Sequence, residues 1–174
     1  AEGKLCNLAF SPEGTLYFSD TNDYDLYKLE SGAEILVYHH NTYLRDVAFD
    51  SQVRFYFSEA YGAGGDGYIY RLDQGKPYLY YTVKLAEVGS WSGDFTFDKD
   101  DNLYLSQGNV ARAKIYKVVD KIPVEVFSAP GGGCIKGISF DVTGNLFYAS
   151  WLGGDIYKVD LASGERELFY SNQT

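Results

Sequence analysis

Methionine is missing from all 174 residues, the first included. A chain that does not begin with Met implies processing, and removal of a signal peptide is one route to it. Together with the terminal tripeptide Asn172-Gln173-Thr174, an N-glycosylation sequon at Asn172, this gives the expectation of an extracellular or periplasmic protein. Basic residues are also scarce, 15 against 24 acidic, for a net charge of −9. Nucleic acid phosphates need a basic face, so nucleic acid is excluded as a partner. No apolar run reaches 18 residues, which excludes a membrane-spanning helix. The only two histidines are adjacent, His39 and His40. Neighbours on a strand point to opposite faces, so this pair cannot readily share one metal ion, and a loop at the outer end of a blade is expected. No Ser–His–acid spacing is present. The glycines of Gly62–Gly67 are not followed by a helix, which argues against a phosphate cradle. No Gly-His opens a repeat and no Trp-Asp closes one, so a WD-type signature is absent.

What the chain has instead is one phrase written four times: Leu8–Asp20, Val47–Glu59, Phe95–Gln107 and Ile138–Ser150, with starts 39, 48 and 43 residues apart. Each copy is followed by a second matched piece, Leu26–Leu29, Ile69–Leu72, Ile115–Val118 and Ile156–Val159. A period near 40 with several short strands per copy is the signature of propeller blades. The step from the last copy to the first across the termini falls in the same range. The expected fold is therefore all-β, a closed propeller of four four-stranded antiparallel blades forming one domain over 1–174, with blades near 5–40, 44–83, 91–128 and 135–171. Half of an eight-bladed dimer, or part of a larger propeller, obeys the same arithmetic.

Each first strand is a large–small–Phe triplet: Leu8-Ala9-Phe10, Val47-Ala48-Phe49, Phe95-Thr96-Phe97 and Ile138-Ser139-Phe140. Alternation puts the bulk on one face and the small residue on the other. Bulk from one blade can then fill the space beside its neighbour. Turn residues follow in three copies, while Asp50-Ser51-Gln52-Val53 is a poorer turn sequence. Pro77 and Pro123 stand just before the fourth strand in two copies, which suits an outer edge.

These features resemble the NHL-repeat and gluconolactonase-like (senescence marker protein) propellers. The residues that carry the resemblance are the apolar-x-Phe-Asp of strand one, the Gly-Asn-Leu-Tyr-type turn and strand, and the Ser-Asp, Ser-Glu or Ser-Gln closing strand two. Asp20–Lys28 matches the NHL run into strand three. The resemblance implies a lactonase-type site in which Glu, Asn and Asp near the axis hold a metal and an acid serves as base. The Glu that opens those chains has no counterpart here, and Cys6-Asn7 occupies that region.

Chain direction places the long, irregular loops on the face where strand two ends, and a site is expected there. Asp20, Asp46, Glu59 and Asp94 are the candidate calcium ligands, hard oxygen donors at the expected channel mouth. Tyr24, Tyr61, Trp91 and Trp151 lie at or beside the same loops and are candidate ligand-binding aromatics. Cys6 and Cys134 fall in or beside the first strands of the first and last blades, and a disulfide between them would staple the ends of the ring. The mismatch at Cys6-Asn7 favours a non-catalytic module that binds protein or glycan, or assembles with copies of itself. The alternative is a calcium-dependent lactonase-like hydrolase.

Overall fold

A computed structural model describes residues 5–59, 65–89, 91, 94–108, 113–131 and 134–171. They form four four-stranded antiparallel sheets, each a simple meander. The first holds β1 (Leu5–Phe10), β2 (Leu16–Asp20), β3 (Asp25–Glu30) and β4 (Ala33–His39); the second holds β5 (Leu44–Phe49), β6 (Phe55–Glu59), β7 (Gly67–Asp73) and β8 (Lys76–Val83). A one-turn helix α1 (Leu85–Val88) follows. The third sheet holds β9 (Phe95–Phe97), β10 (Leu103–Ser106), β11 (Lys114–Val119) and β12 (Ile122–Ser128); the fourth holds β13 (Ile135–Phe140), β14 (Leu146–Ser150), β15 (Asp155–Asp160) and β16 (Glu165–Tyr170). The sheets are blades 1 to 4 of an all-β propeller fold. The chain divides into two compact units, 1–84 and 85–174, each with two blades.

The Phe-Asp motif has a local physical cause. Asp50, Asp98 and Asp141 each end or follow strand one and turn Oδ1 back onto two backbone N–H groups. Asp50 accepts from Gln52 and Arg54 at 3.0 and 2.9 Å, Asp98 from Asp100 and Asn102 at 3.0 and 2.9 Å, and Asp141 from Thr143 and Asn145 at 2.9 Å each. Ser11 does the same for Thr15 in blade 1. The fourth turn residue must then take positive φ, and Gly14, Val53, Asp101 and Gly144 do so at 86°, 64°, 61° and 87°. Val53, β-branched, is strained there. The poor turn sequence of blade 2 thus adopts the same turn as the others. Asp50 secures it with two further bonds, to Arg54 and to the Tyr56 hydroxyl.

Inside the first unit, Leu26, Leu44, Val47, Phe55 and Phe57 form the core, and Tyr17 of blade 1 packs on Phe49 and Phe55 of blade 2 at 5.0 Å between ring centres. Inside the second, Tyr104 of blade 3 meets Phe140 of blade 4 at 4.9 Å over a core that includes Ile115, Ile135, Ile138 and Leu146. The recurrent Tyr of the third strand stacks on its strand-two neighbour: Tyr27 on Phe18, Tyr70 on Phe57 and Tyr157 on Tyr148. Pro77 and Pro123 lie within β8 and β12 rather than before them, paired with Leu72 and Val118. Both strands are edges of their sheets, where a missing N–H is tolerated.

Candidate active site

The end of strand two lies beside the start of strand one in each fully paired blade: Leu5 faces Asp20, Leu44 faces Glu59 and Ile135 faces Ser150. A bulge follows immediately in all three. The hydroxyl that ends strand two supports it. Ser58 Oγ accepts from the Asp46 N–H at 2.9 Å, and Ser19 Oγ accepts from Asn7 at 3.4 Å while donating to the Arg45 carbonyl at 3.1 Å. In blade 3, Ser106 Oγ donates to Asp94 Oδ2 at 3.3 Å. Blade 4 has Ala149 in place of the serine, and at the bulge it has Gly137 with φ of 85°. Glycine conformation there replaces a hydroxyl clamp.

Blade 2 carries the one acid–base cluster of this kind among the described residues. His40, just past β4, donates its backbone N–H to the Tyr24 carbonyl at 2.8 Å. Its imidazole turns inward, with Nε2 at 3.2 Å from Glu59 Oε2. Both side chains are about nine-tenths buried, at 11% and 10% exposure. The Tyr70 hydroxyl donates to the same Glu59 oxygen at 3.1 Å, and Phe57 and Tyr70 flank the imidazole at 5.4 and 5.6 Å. Burial, then the Glu59 charge, pushes the Tyr70 hydroxyl up to about 12, so it stays a donor. Nε2 faces Glu59, and Nδ1, on the other side of the ring, lies 3.5 Å from the Tyr38 hydroxyl. His39 points the other way, onto Asp25 at 2.6 Å, and is exposed. Alternation of faces thus separates the two histidines as expected, but His40 does not belong to a bland outer loop. Nothing in its spacing from Glu59 reveals the pairing. The one available signal was a histidine placed where the preceding blade's last strand ends.

The expected calcium ligands do not gather into a metal centre. Among the described residues, no group of three or more His, Cys, Asp or Glu side chains is arranged to hold a metal ion. Their oxygens are committed locally. Asp20 Oδ1 accepts from the N–H groups of Asn22 and Asp23, Asp46 Oδ1 accepts from Val47, Glu59 serves His40 and Tyr70, and Asp94 accepts from Ser106. The donor set therefore does not fit a six- to eight-oxygen calcium site.

The candidate aromatics part company. Trp91 is buried and spends its indole N–H on the Asp94 carbonyl at 3.2 Å, so it serves packing rather than ligand capture. Trp151 is exposed, with Lys136 Nζ 5.8 Å above its ring. Tyr24 meets Tyr43 edge-on at 5.2 Å. Tyr61 and Asn172 lie outside the described residues. Gln107, the blade 3 counterpart of Glu59, donates to the Val88 carbonyl at 2.7 Å. The expected Cys6–Cys134 bridge is not formed, and neither residue is in a disulfide. Cys134 precedes β13, two residues earlier in the repeat than Cys6. Its buried thiol donates to the Gly108 carbonyl at 3.1 Å, within its own unit, and burial pushes that thiol up. Cys6 lies exposed within β1.

These blades have the fold of the gluconolactonase-like and virginiamycin B lyase propellers, as the repeat resemblance implied. Virginiamycin B lyase from Staphylococcus aureus, solved as a catalytically inactive His-to-Ala form with quinupristin, is similar over 99% of this chain and 57% of its own at 16% identity, TM-score 0.66. A streptogramin B lyase is similar over 97% and 55% at 17% identity, TM-score 0.67. A gluconolactonase from Xanthomonas campestris is similar over 94% and 60% at 15% identity, TM-score 0.68. The chain thus spans a little over half the length of these structures. No family model and no curated protein sequence matches it. The expectation of a non-catalytic module is overturned by this set of neighbours, which are enzymes, and the lactonase-like alternative fits them better.

Proposed function

We propose that this chain is a propeller enzyme, or the acid–base portion of one, that opens a cyclic ester of the lactone class. The observation that carries the reading is the buried His40–Glu59 pair, with Tyr70 completing it. Glu59 orients the imidazole and stabilises the imidazolium, so Nδ1 is the base. Water gives a proton to His40 as its oxygen bonds the ester carbon. The ring C–O bond then breaks, and the departing oxygen takes that proton back. One lactone and one water become one hydroxy acid, with no net proton held by the protein. The enzymes among the structural neighbours support this class, and the inactive His-to-Ala lyase shows that a histidine matters in one of them. Tyr24, half-buried beside Tyr43, is available to pack on the ring of a substrate.

The test is turnover of a panel of sugar and aliphatic lactones, followed by acid release at fixed pH, with and without chelator. Expected are ring opening that chelator leaves unchanged, oxygen from labelled water in the product carboxylate, and a rate reduced about 100-fold or more by Glu59→Gln. No turnover on any cyclic ester, or full activity in E59Q, overturns the proposal. An unsaturated product free of labelled oxygen replaces hydrolysis by elimination and equally overturns it.

A further inference from the structure

The contact that holds His40 has a counterpart inside the second unit, and the two together show which groups packing requires. Tyr38 pairs with Leu26 as Phe127 pairs with Ile115, and a bulge follows each pair. Two residues on, the His40 N–H bonds the Tyr24 carbonyl at 2.8 Å and the Ala129 N–H bonds the Ala113 carbonyl at 2.8 Å, so His40 and Ala129 hold the same place. Each aromatic lies against strand two of the following blade. Tyr38 meets Phe57 and Phe127 meets Tyr148, both at 5.6 Å between ring centres. Glu59 corresponds to Ser150, which ends strand two in the same register.

Packing therefore asks for an aromatic ring at this place, and Phe127 meets the need without a hydroxyl. The Tyr38 hydroxyl is an addition. It stands where His40 and Glu59 stand, and all three are missing together from the Phe127, Ala129 and Ser150 contact. Alternation puts Tyr38 and His40 on one face of the strand end and His39 on the other. Among the described residues, the polar partner of the Tyr38 hydroxyl is His40 Nδ1, at 3.5 Å. Burial pushes that hydroxyl up, so it rests protonated near neutrality.

A buried base needs a path for its proton. The imidazole turns Nε2 onto Glu59, and Phe57 and Tyr70 flank its ring. Nδ1 looks onto Tyr38, which is itself only half-buried. We propose that the Tyr38 hydroxyl relays the proton between the attacking water and His40, an inference that rests on His40 being the base. As the water oxygen bonds the ester carbon, one water O–H bond breaks and its proton passes to the Tyr38 oxygen. The proton that Tyr38 carried passes to Nδ1. When the ring C–O bond breaks, Nδ1 returns its proton to Tyr38, whose other proton goes to the departing oxygen. Neither residue holds a net proton at the end.

Tyr38→Phe gives blade 1 the residue that blade 3 already uses, so its thermal melt should match that of wild type. Lactone opening is measured for wild type, Y38F and H40A, with rates taken across mixtures of light and heavy water. Expected in Y38F is a kcat loss of about 100-fold with KM unchanged. The wild-type rate should curve with deuterium content, because two protons move together, and the residual Y38F rate should be linear. Y38F at the wild-type rate beside an impaired H40A overturns the relay and leaves the base in place. Both variants at the wild-type rate, or no opening by wild type, overturns both. A loss carried by KM alone makes Tyr38 a substrate contact and overturns the relay. Should Y38F fail to fold, the wild type decides alone, and a linear dependence on deuterium content overturns the proposal.

Discussion

Blades 2 and 4 are built from the same phrase, yet of the two only blade 2, among the described residues, sets a buried acid against a histidine. At the end of strand two it has Ser58-Glu59, where blade 4 has Ala149-Ser150; at the bulge it has Asp46, where blade 4 has Gly137. Blade 4 keeps the bulge through a backbone conformation open to glycine, with φ of 85°. Blade 2 keeps it through a buried hydroxyl that accepts the Asp46 N–H. The lesson is that one backbone can be held by two chemistries, and that the buried acid enters where the polar solution was chosen. The repeat supplies the frame, and the departure from the repeat supplies the site.

The comparison is broken most forcefully at the turn clamps. Asp50 is wholly buried and serves two backbone N–H groups, Arg54 and the Tyr56 hydroxyl, whereas Asp141 is exposed and serves its own turn. Asp50→Ala should cost about 3 kcal/mol, because it strands buried donors. Asp141→Ala should cost much less. Urea melts of the two variants check this, and equal losses would mean that burial does not distinguish the two clamps. Next comes the bulge. Ser58→Ala leaves the buried Asp46 N–H without its acceptor and should cost about 1–2 kcal/mol. Gly137→Ala should cost about 1 kcal/mol through φ alone, since no atom lies within 4 Å of the added Cβ. A neutral Ser58→Ala would make the hydroxyl clamp dispensable.

Relief of strain should be visible in the other direction. Val53 holds φ of 64° where blades 1 and 4 have Gly14 and Gly144. Val53→Gly should stabilise by about 1 kcal/mol, read as a raised melting temperature. The smallest effects are in acid. The amide and backbone N–H of Asn145 hold the Asp141 carboxyl far below its usual range. At Asp98, burial opposes but Asn102 and Lys117 outweigh it, and the Ala162 N–H and Ser163 lower Asp160. Carboxyls held low in the folded state contribute stability above their unfolded value near about pH 4, and lose it as pH falls through the lower folded values. Melting temperature should therefore be flat with respect to these groups near neutrality and fall below about pH 4. Asp141→Asn should flatten that fall. A fall that Asp141→Asn leaves as steep would assign it to other groups.

The scaffold was legible because each of its parts is local. Alternation, turn residues and the recurring Phe-Asp are written within a dozen residues, and the four sheets follow them. The cluster was not, because His40 meets Glu59 and Tyr70 only after a blade turns its last strand toward the next one's second and third. Trp91 shows the same limit. Its sequence context does not reveal that Asp94 offers its carbonyl to the indole and that the ring is buried. The calcium expectation rested on repeat alignment and residue type. Type does not show that Asp20 and Asp46 spend their oxygens on neighbouring N–H groups. Neither cysteine is in a disulfide, and the Cys134 thiol is engaged at the Gly108 carbonyl instead.

The catalytic reading is tested most directly by one rate ratio. Lactone opening by His40→Ala should be measured against wild type at matched concentration, with both proteins shown folded by identical thermal melts. The expected result is a loss of about 100-fold or more, with partial recovery on adding imidazole to the variant. A His40→Ala protein that opens the lactone at the wild-type rate would contradict the assignment of His40 as the base.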